Sequence, residues 1–193
     1  MSQSITQFFY YKLYKPYGYL CQFSGESTDK LLGDLYKFPK DVYSVGRLDK
    51  DSEGLLLLTN DNRFKTRILS PESKKWKTYW VQVEGQITQQ AIHELEEGKI
   101  SISHKEAVFT VSPAICKEIN APKIADRIPP IRYRKSIPTS WIEIKISEGK
   151  NRQVRKMTAA VGFPTLRLIR QAIDTISIDD MQLGEVREFQ PIN

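Results

Sequence analysis

Apolar residues recur along this chain in short runs rather than in long helical stripes. Phe9 to Tyr14 predicts a strand. The following Lys15-Pro16-Tyr17-Gly18 predicts a bend, because proline fixes one backbone angle and glycine admits the left-handed one. Val42 to Leu48 predicts a second short strand. Leu55 to Thr59 is a buried apolar run, flanked by Gly54 and the turn-forming Asn60-Asp61-Asn62. Arg63 to Leu69 predicts a short helix ended by Ser70-Pro71. Lys77 to Val83 and Trp141 to Ile146 alternate as strands. Thr88 to Glu97 predicts a helix with Ala91, Ile92 and Leu95 on one face and Gly98 as its cap. Asn151 to Val161 predicts another, with Asn151 as N-cap and Gly162-Phe163-Pro164 as its stop. Ile169 to Ile178 and the tail near Phe189 carry weaker signals. Strand-rich segments with a few helices, and no regular βαβ alternation, predict an α+β fold.

One stretch has no regular pattern. Cys116 to Ser140 holds Pro122, Pro129, Pro130 and Pro138 and six basic residues. Irregular segments of this length in compact domains are functional or linking, so two expectations stand: a lobe-to-lobe connector, and a basic loop that folds against nucleic acid.

Composition sharpens the second. The chain has 193 residues and a net charge of +6, enough for one domain or two small intimate lobes. Between Asn120 and Arg170 lie twelve basic and three acidic residues, a local charge of +9, leaving −3 for the rest. A basic footprint confined to one region suits a polyanion, because neutralised phosphates release counterions. No apolar run reaches the ~18–20 residues of a membrane span. No signal peptide is visible either, so a cytoplasmic protein is expected. Cys21 and Cys116 lie far apart without a C-x-x-C pattern, which argues against a disulfide framework or a zinc ribbon.

Two segments concentrate the candidate chemistry. On the Asn151–Val161 helix, Val154, Met157, Thr158 and Val161 fall within an arc of roughly 100°, while Arg152, Arg155 and Lys156 cluster opposite. Three neighbouring cations repel one another unless solvent, an anion or an inward-facing carboxylate partner relieves them. The second segment is Gly46-Arg47-Leu48-Asp49-Lys50-Asp51-Ser52-Glu53-Gly54. A calcium loop fails here: the twelfth position, which needs a bidentate Glu, is Asn60, and Leu55 to Leu58 occupy ligand positions. A glycosidase carboxylate pair and a single Asp held among arginines, poised as nucleophile or base on a nucleotide, remain open.

The motifs then resemble a known family. Gly46-Arg47-Leu48-Asp49-Lys50-Asp51-Ser52-Glu53-Gly54-Leu55-Leu56-Leu57-Leu58-Thr59-Asn60 resembles the signature of the RsuA-type pseudouridine synthases. Tyr14 to Gly18 is similar to their first motif, and Lys77 to Val83 to the strand carrying their active-site tyrosine. Glu148 to Met157 and Leu166 to Arg170 resemble their basic motif and the one after it. All five occur in the family's order. The first motif starts too early for a preceding S4 RNA-binding domain, and Arg127 to Trp141 resembles the RluE branch, which lacks one. Ile173-Asp174 departs from the Ile-Gly more usual in relatives.

The resemblance implies a pseudouridine synthase fold with a mixed, mostly antiparallel central sheet and flanking helices, as a single catalytic domain over residues 1–193. It implies isomerisation of a specific uridine in bacterial 23S ribosomal RNA, by a monomer, without metal or cofactor. Asp49 would be the nucleophile and Arg155 its ion-pair partner. Tyr79 would stack on the uracil and take part in C5 deprotonation. Arg47, on the same strand face as Asp49, would help occupy the space of the flipped nucleotide, and Leu168 or Ile173 would close the apolar side. Arg132, Arg134, Lys135, Lys150, Arg152, Lys156, Arg167 and Arg170 are the expected RNA contacts. His93 and His104 stand alone as surface residues. A non-catalytic RNA-binding or ribosome-assembly protein on the same fold is the competing expectation. A metal-dependent nuclease is disfavoured because the clustered acids lack histidine partners.

Overall fold

The computed structural model describes residues 7–104, 107–131 and 134–191. Along the chain they form β1 (Tyr10–Lys15), β2 (Tyr43–Ser44), β3 (Glu53–Thr59), α1 (Asn62–Leu69), β4 (Lys77–Glu84), α2 (Gln89–Glu97), β5 (Ser101–His104), β6 (Ala107–Thr110), β7 (Ile115–Ile119), β8 (Thr139–Ile146), α3 (Gln153–Ala160), β9 (Thr165–Ile173), β10 (Ile176–Ser177) and β11 (Val186–Glu188). A nine-stranded sheet runs β11-β1-β3-β9-β4-β8-β7, with β10 on β9 and β2 on β3, and β5-β6 form a separate hairpin. Among the strands of the described residues, only β3 and β9 pair in parallel. The expected α+β class and mixed, mostly antiparallel sheet are therefore present.

The leucine run explains the centre of the sheet. Successive side chains of a strand point to opposite faces. Leu55 and Leu57 enter one core cluster with Tyr14, Phe64, Ile169 and Ile173. Leu56 and Leu58 enter another with Tyr11, Leu13 and Leu32. All four are fully buried, so truncating any one to alanine costs about 2–5 kcal/mol. A third cluster joins Val81 and Val83 of β4, Ile142, Ile144 and Ile146 of β8, Ala91, Ile92 and Leu95 of α2, and Val154 and Met157 of α3. Both predicted apolar helix faces are thus core.

Caps set the helix starts. The Asp61 carboxylate accepts from the Arg63 and Phe64 amides, and the Thr88 hydroxyl accepts from the Ala91 amide. At α3 the expectation fails: the N-cap is Arg152, in the left-handed conformation at φ +52°, rather than Asn151. The turn is closed instead by Gln153, whose amide donates to the Lys150 carbonyl at 3.1 Å and whose Oε1 accepts from the Lys150 amide at 2.9 Å.

Two further expectations are corrected. Val42 to Leu48 is strand only at Tyr43–Ser44; the rest is a loop whose Val45 amide donates to Leu57 O. The Cys116–Ser140 stretch is no lobe connector. Its start is β7, its end is β8, and these pair side by side at the sheet edge, so the described residues between them, 120–131 and 134–138, belong to one long hairpin connection. That connection is docked: the Arg127 guanidinium lies over the Tyr17 ring at 4.4 Å and donates to Pro129 O, Pro130 O and Leu166 O.

Candidate active site

The Gly46–Ser52 loop enters β3 and carries Asp49. It is fixed from several sides. Cys21 Sγ meets both the amide and the carbonyl of Leu48 at 3.3 Å. The Gly18 amide donates to Lys50 O at 2.8 Å, tying the Pro16-Gly18 bend to the loop. Lys15 is fully buried beneath that bend, with Nζ donating to Pro16 O and Tyr19 O. Burial brings its amine down to about 8.

Arginines from the first turns of α3 reach this loop. Arg152 makes a bidentate pair with Asp51 at 2.9 and 2.8 Å and a longer contact with Asp49 at 3.4 Å. Arg155 is the inward-facing cation: it donates to Asp51 O at 2.7 Å and lies 3.4 Å from the Asp51 carboxylate. The resemblance pairs Arg155 with Asp49. The direct contacts differ: Asp49 meets Arg152, while Arg155 meets the backbone and side chain of Asp51 and feels the Asp49 charge without a hydrogen bond to it. Burial opposes the Asp51 charge, but the hydrogen bonds from Arg152 and the charges of both arginines outweigh it and hold this carboxyl below its usual range. Burial also lowers the Arg155 guanidinium.

Asp49 lines a cleft of about 390 Å³. Tyr79, Arg47, Ser52, Lys77, Lys150, Arg152, Gln153 and Arg170 share it, and Ile146, Leu168 and Ile173 make its apolar side. Tyr79 is buried at a register shift in β4, where it pairs with Ile144 of β8 and Arg170 of β9. Arg47 is exposed on the loop rather than on a strand, because β2 ends at Ser44.

The expected RNA contacts separate by burial. Arg167 is interior: its guanidinium grips Glu53 with two 2.8 Å bonds and donates to Ala125 O at 3.0 Å. Arg170 is buried too, with Nε donating to Leu55 O at 2.8 Å. Neither presents its charge on the outer surface. A solvated guanidinium would need space that β3 and its neighbours fill. Lys156 donates to Ser103 O at 2.6 Å, which turns it toward the β5-β6 hairpin. Lys150 pairs with Glu148 beside the cleft. Arg134 and Lys135 border a second hollow of about 270 Å³ on the long connection, where Arg134 pairs with Glu84 at 3.1 Å. Arg132 lies outside the described residues. His93 is exposed and 3.7 Å from Glu97, and the His104 side chain lies outside the described ones.

Sequence reasoning missed several residues of the site. Gln153 and Lys77 line the cleft, and Cys21 buttresses it. Gln153 sits inside the basic motif and was legible there. Lys77 opens the strand motif that runs to Val83, whereas Cys21 carries no local signal, since long-range packing alone brings it in.

A carboxylate held among arginines, beside a buried tyrosine in a cleft with one polar and one apolar side, is a site suited to nucleoside chemistry. Residues 10–160 match the family model described as RNA pseudouridylate synthase. The chain is 47% identical over 176 residues to "Ribosomal large subunit pseudouridine synthase E" of Vibrio parahaemolyticus, covering 91% of this chain and 71% of that protein. It is 46% identical over 177 residues to the protein of the same name from Xanthomonas campestris pv. campestris, covering 91% and 92%. A solved structure described as a pseudouridylate synthase superposes with a TM-score of 0.75 at 28% identity, covering 96% of this chain and 72% of that one. The chain belongs to the RNA pseudouridylate synthase family, and is an isomerase.

Proposed function

We propose that this protein converts a specific uridine of large-subunit ribosomal RNA to pseudouridine, with Asp49 as nucleophile. It acts as a monomer in the bacterial cytoplasm, with the described sheet and its helices as one catalytic unit. The reading is carried by Asp49 facing the cleft that also holds Tyr79, with Arg152 at its carboxylate. The large-subunit RNA substrate follows the names of the relatives at 45–47% identity. Among the described residues no helix is long and apolar enough to cross a membrane.

In the reaction the C1′–N1 bond breaks, the uracil turns, and a C1′–C5 bond forms. The C5 proton is lost and N1 gains one, so no atom is added overall. The Arg152 guanidinium, 3.4 Å from the Asp49 carboxylate, steadies it for attack. The Tyr79 ring gives the flipped base a stacking surface, offsetting the few kcal/mol of unstacking. Arg47, exposed at the rim, fills the gap left in the RNA.

The test compares pseudouridine maps of ribosomal RNA from a deletion strain complemented with wild type or with Asp49→Asn. One uridine should lose modification in the deletion and regain it only with wild type. Modification that persists in the deletion refutes the substrate. Restoration by Asp49→Asn refutes the nucleophile.

A further inference from the structure

Three buried side-chain atoms among the described residues have no hydrogen-bond partner: Ser52 Oγ, Arg155 Nε and Arg170 Nη2. Such groups are costly unless a ligand or solvent completes them. Arg155 Nε belongs to the ion-paired guanidinium already described. The other two stand apart. Ser52 and Arg170 are 1% and 6% exposed, and both line the cleft that holds Asp49 and Tyr79.

The backbone sets the segments that carry them side by side. Gly54 pairs with Arg170 across the parallel β3–β9 junction, at φ +108°. A Cβ at Gly54 would lie 2.3 Å from Arg170 O. Only glycine allows β9 to press this close to the segment carrying Ser52. The Arg170 Nε bond to Leu55 O then fixes the guanidinium and leaves Nη2 over.

We infer that Arg170 and Ser52 read the polar edge of the flipped uracil. The inference rests on the proposed uridine isomerisation and deepens it. A guanidinium only donates, so its partner is an acceptor, and uracil offers a carbonyl on each side of its N3–H. The serine hydroxyl accepts or donates, so it suits N3–H or the adjacent carbonyl. With Arg170 at O4, cytosine would present its amino group instead, and two donors would then face each other. The pair therefore selects uracil by chemistry as well as by shape.

The experiment uses the full-length protein and an RNA hairpin spanning the mapped uridine. The hairpin is made with uridine, 2-thiouridine or 4-thiouridine at that position alone. Single-turnover rates are measured by liquid chromatography of nucleoside digests, which separates pseudouridine from its isomer uridine. Sulfur accepts hydrogen bonds poorly, so one thio substitution should slow wild type by roughly tenfold, the scale of a bond from a charged donor. Arg170→Lys should be slow on uridine and lose that discrimination. Ser52→Ala should slow turnover while its melting temperature holds or rises, since its hydroxyl has no partner in the fold. Equal oxygen-to-sulfur rate ratios in wild type and Arg170→Lys overturn the arginine assignment, and a full uridine rate in Ser52→Ala overturns the serine assignment. If Arg170→Lys does not fold, Ser52→Ala alone decides. Wild type that forms no pseudouridine defeats the function instead, so the two failures are distinct.

Discussion

The buried Glu53–Arg167 pair offers a sharp test of how the site is supported. Glu53 opens β3 directly after the Asp49 loop, and Arg167 lies near the start of the neighbouring strand β9. Their side chains are 1% and 6% exposed and share two 2.8 Å bonds, with Ala125 O as the guanidinium's third partner. Glu53→Gln changes almost no volume, so packing is held constant. It leaves a guanidinium buried without a counter-charge, which costs about 3–5 kcal/mol. One glutamine oxygen still accepts, and Ala125 O remains, so the lower end is expected. A folded domain holds only about 5–15 kcal/mol in total, so the loss is a large fraction. Urea unfolding should show the midpoint falling with an unchanged slope. The double variant Glu53→Leu/Arg167→Met removes both charges and should recover most of the loss. A Glu53→Gln cost below ~1 kcal/mol, or a double variant no better than the single, refutes the interior ion pair.

Gly54→Ala should cost ~3 kcal/mol or more, combining left-handed strain with a Cβ 2.3 Å from Arg170 O and 2.5 Å from Arg170 N; chemical denaturation showing under ~1 kcal/mol would contradict the close approach. Asp51 titrates below its ordinary 3.8 in the folded protein, so its contribution is complete above that value and is lost as pH falls through the lower folded one. The melting-temperature gap between wild type and Asp51→Asn should therefore be steady near neutrality and narrow below about pH 4, and a gap independent of acid would exclude the ionised pair with Arg152. Replacing Arg132, Arg134 and Lys135 together by alanine should weaken RNA binding and flatten its log–log salt dependence by up to ~2. Filter binding at several salt concentrations measures this, and an unchanged slope removes the long connection from the RNA interface.

The one-dimensional sequence determined the elements whose signals are local. Leu55 to Leu58 dictate a buried strand, Asp61 and Thr88 cap their helices, and the Asp49 loop is marked by its charge and glycines. Burial decided the rest. Arg167 and Arg170 read as surface cations because charge patterning carries no depth; only the meeting of β3 with β9 shows that one neutralises Glu53 and the other lines the cleft. Asp49 and Asp51 lie two residues apart, and no spacing rule assigns Arg152 and Arg155 between them. The left-handed turn at Arg152 settles it by sending that side chain across to both carboxylates. The long proline-rich stretch reads as a connector because its proline and charge content hides β7; β8 is legible from Trp141 to Ile146, but its pairing with β7 is a long-range contact that local pattern does not encode.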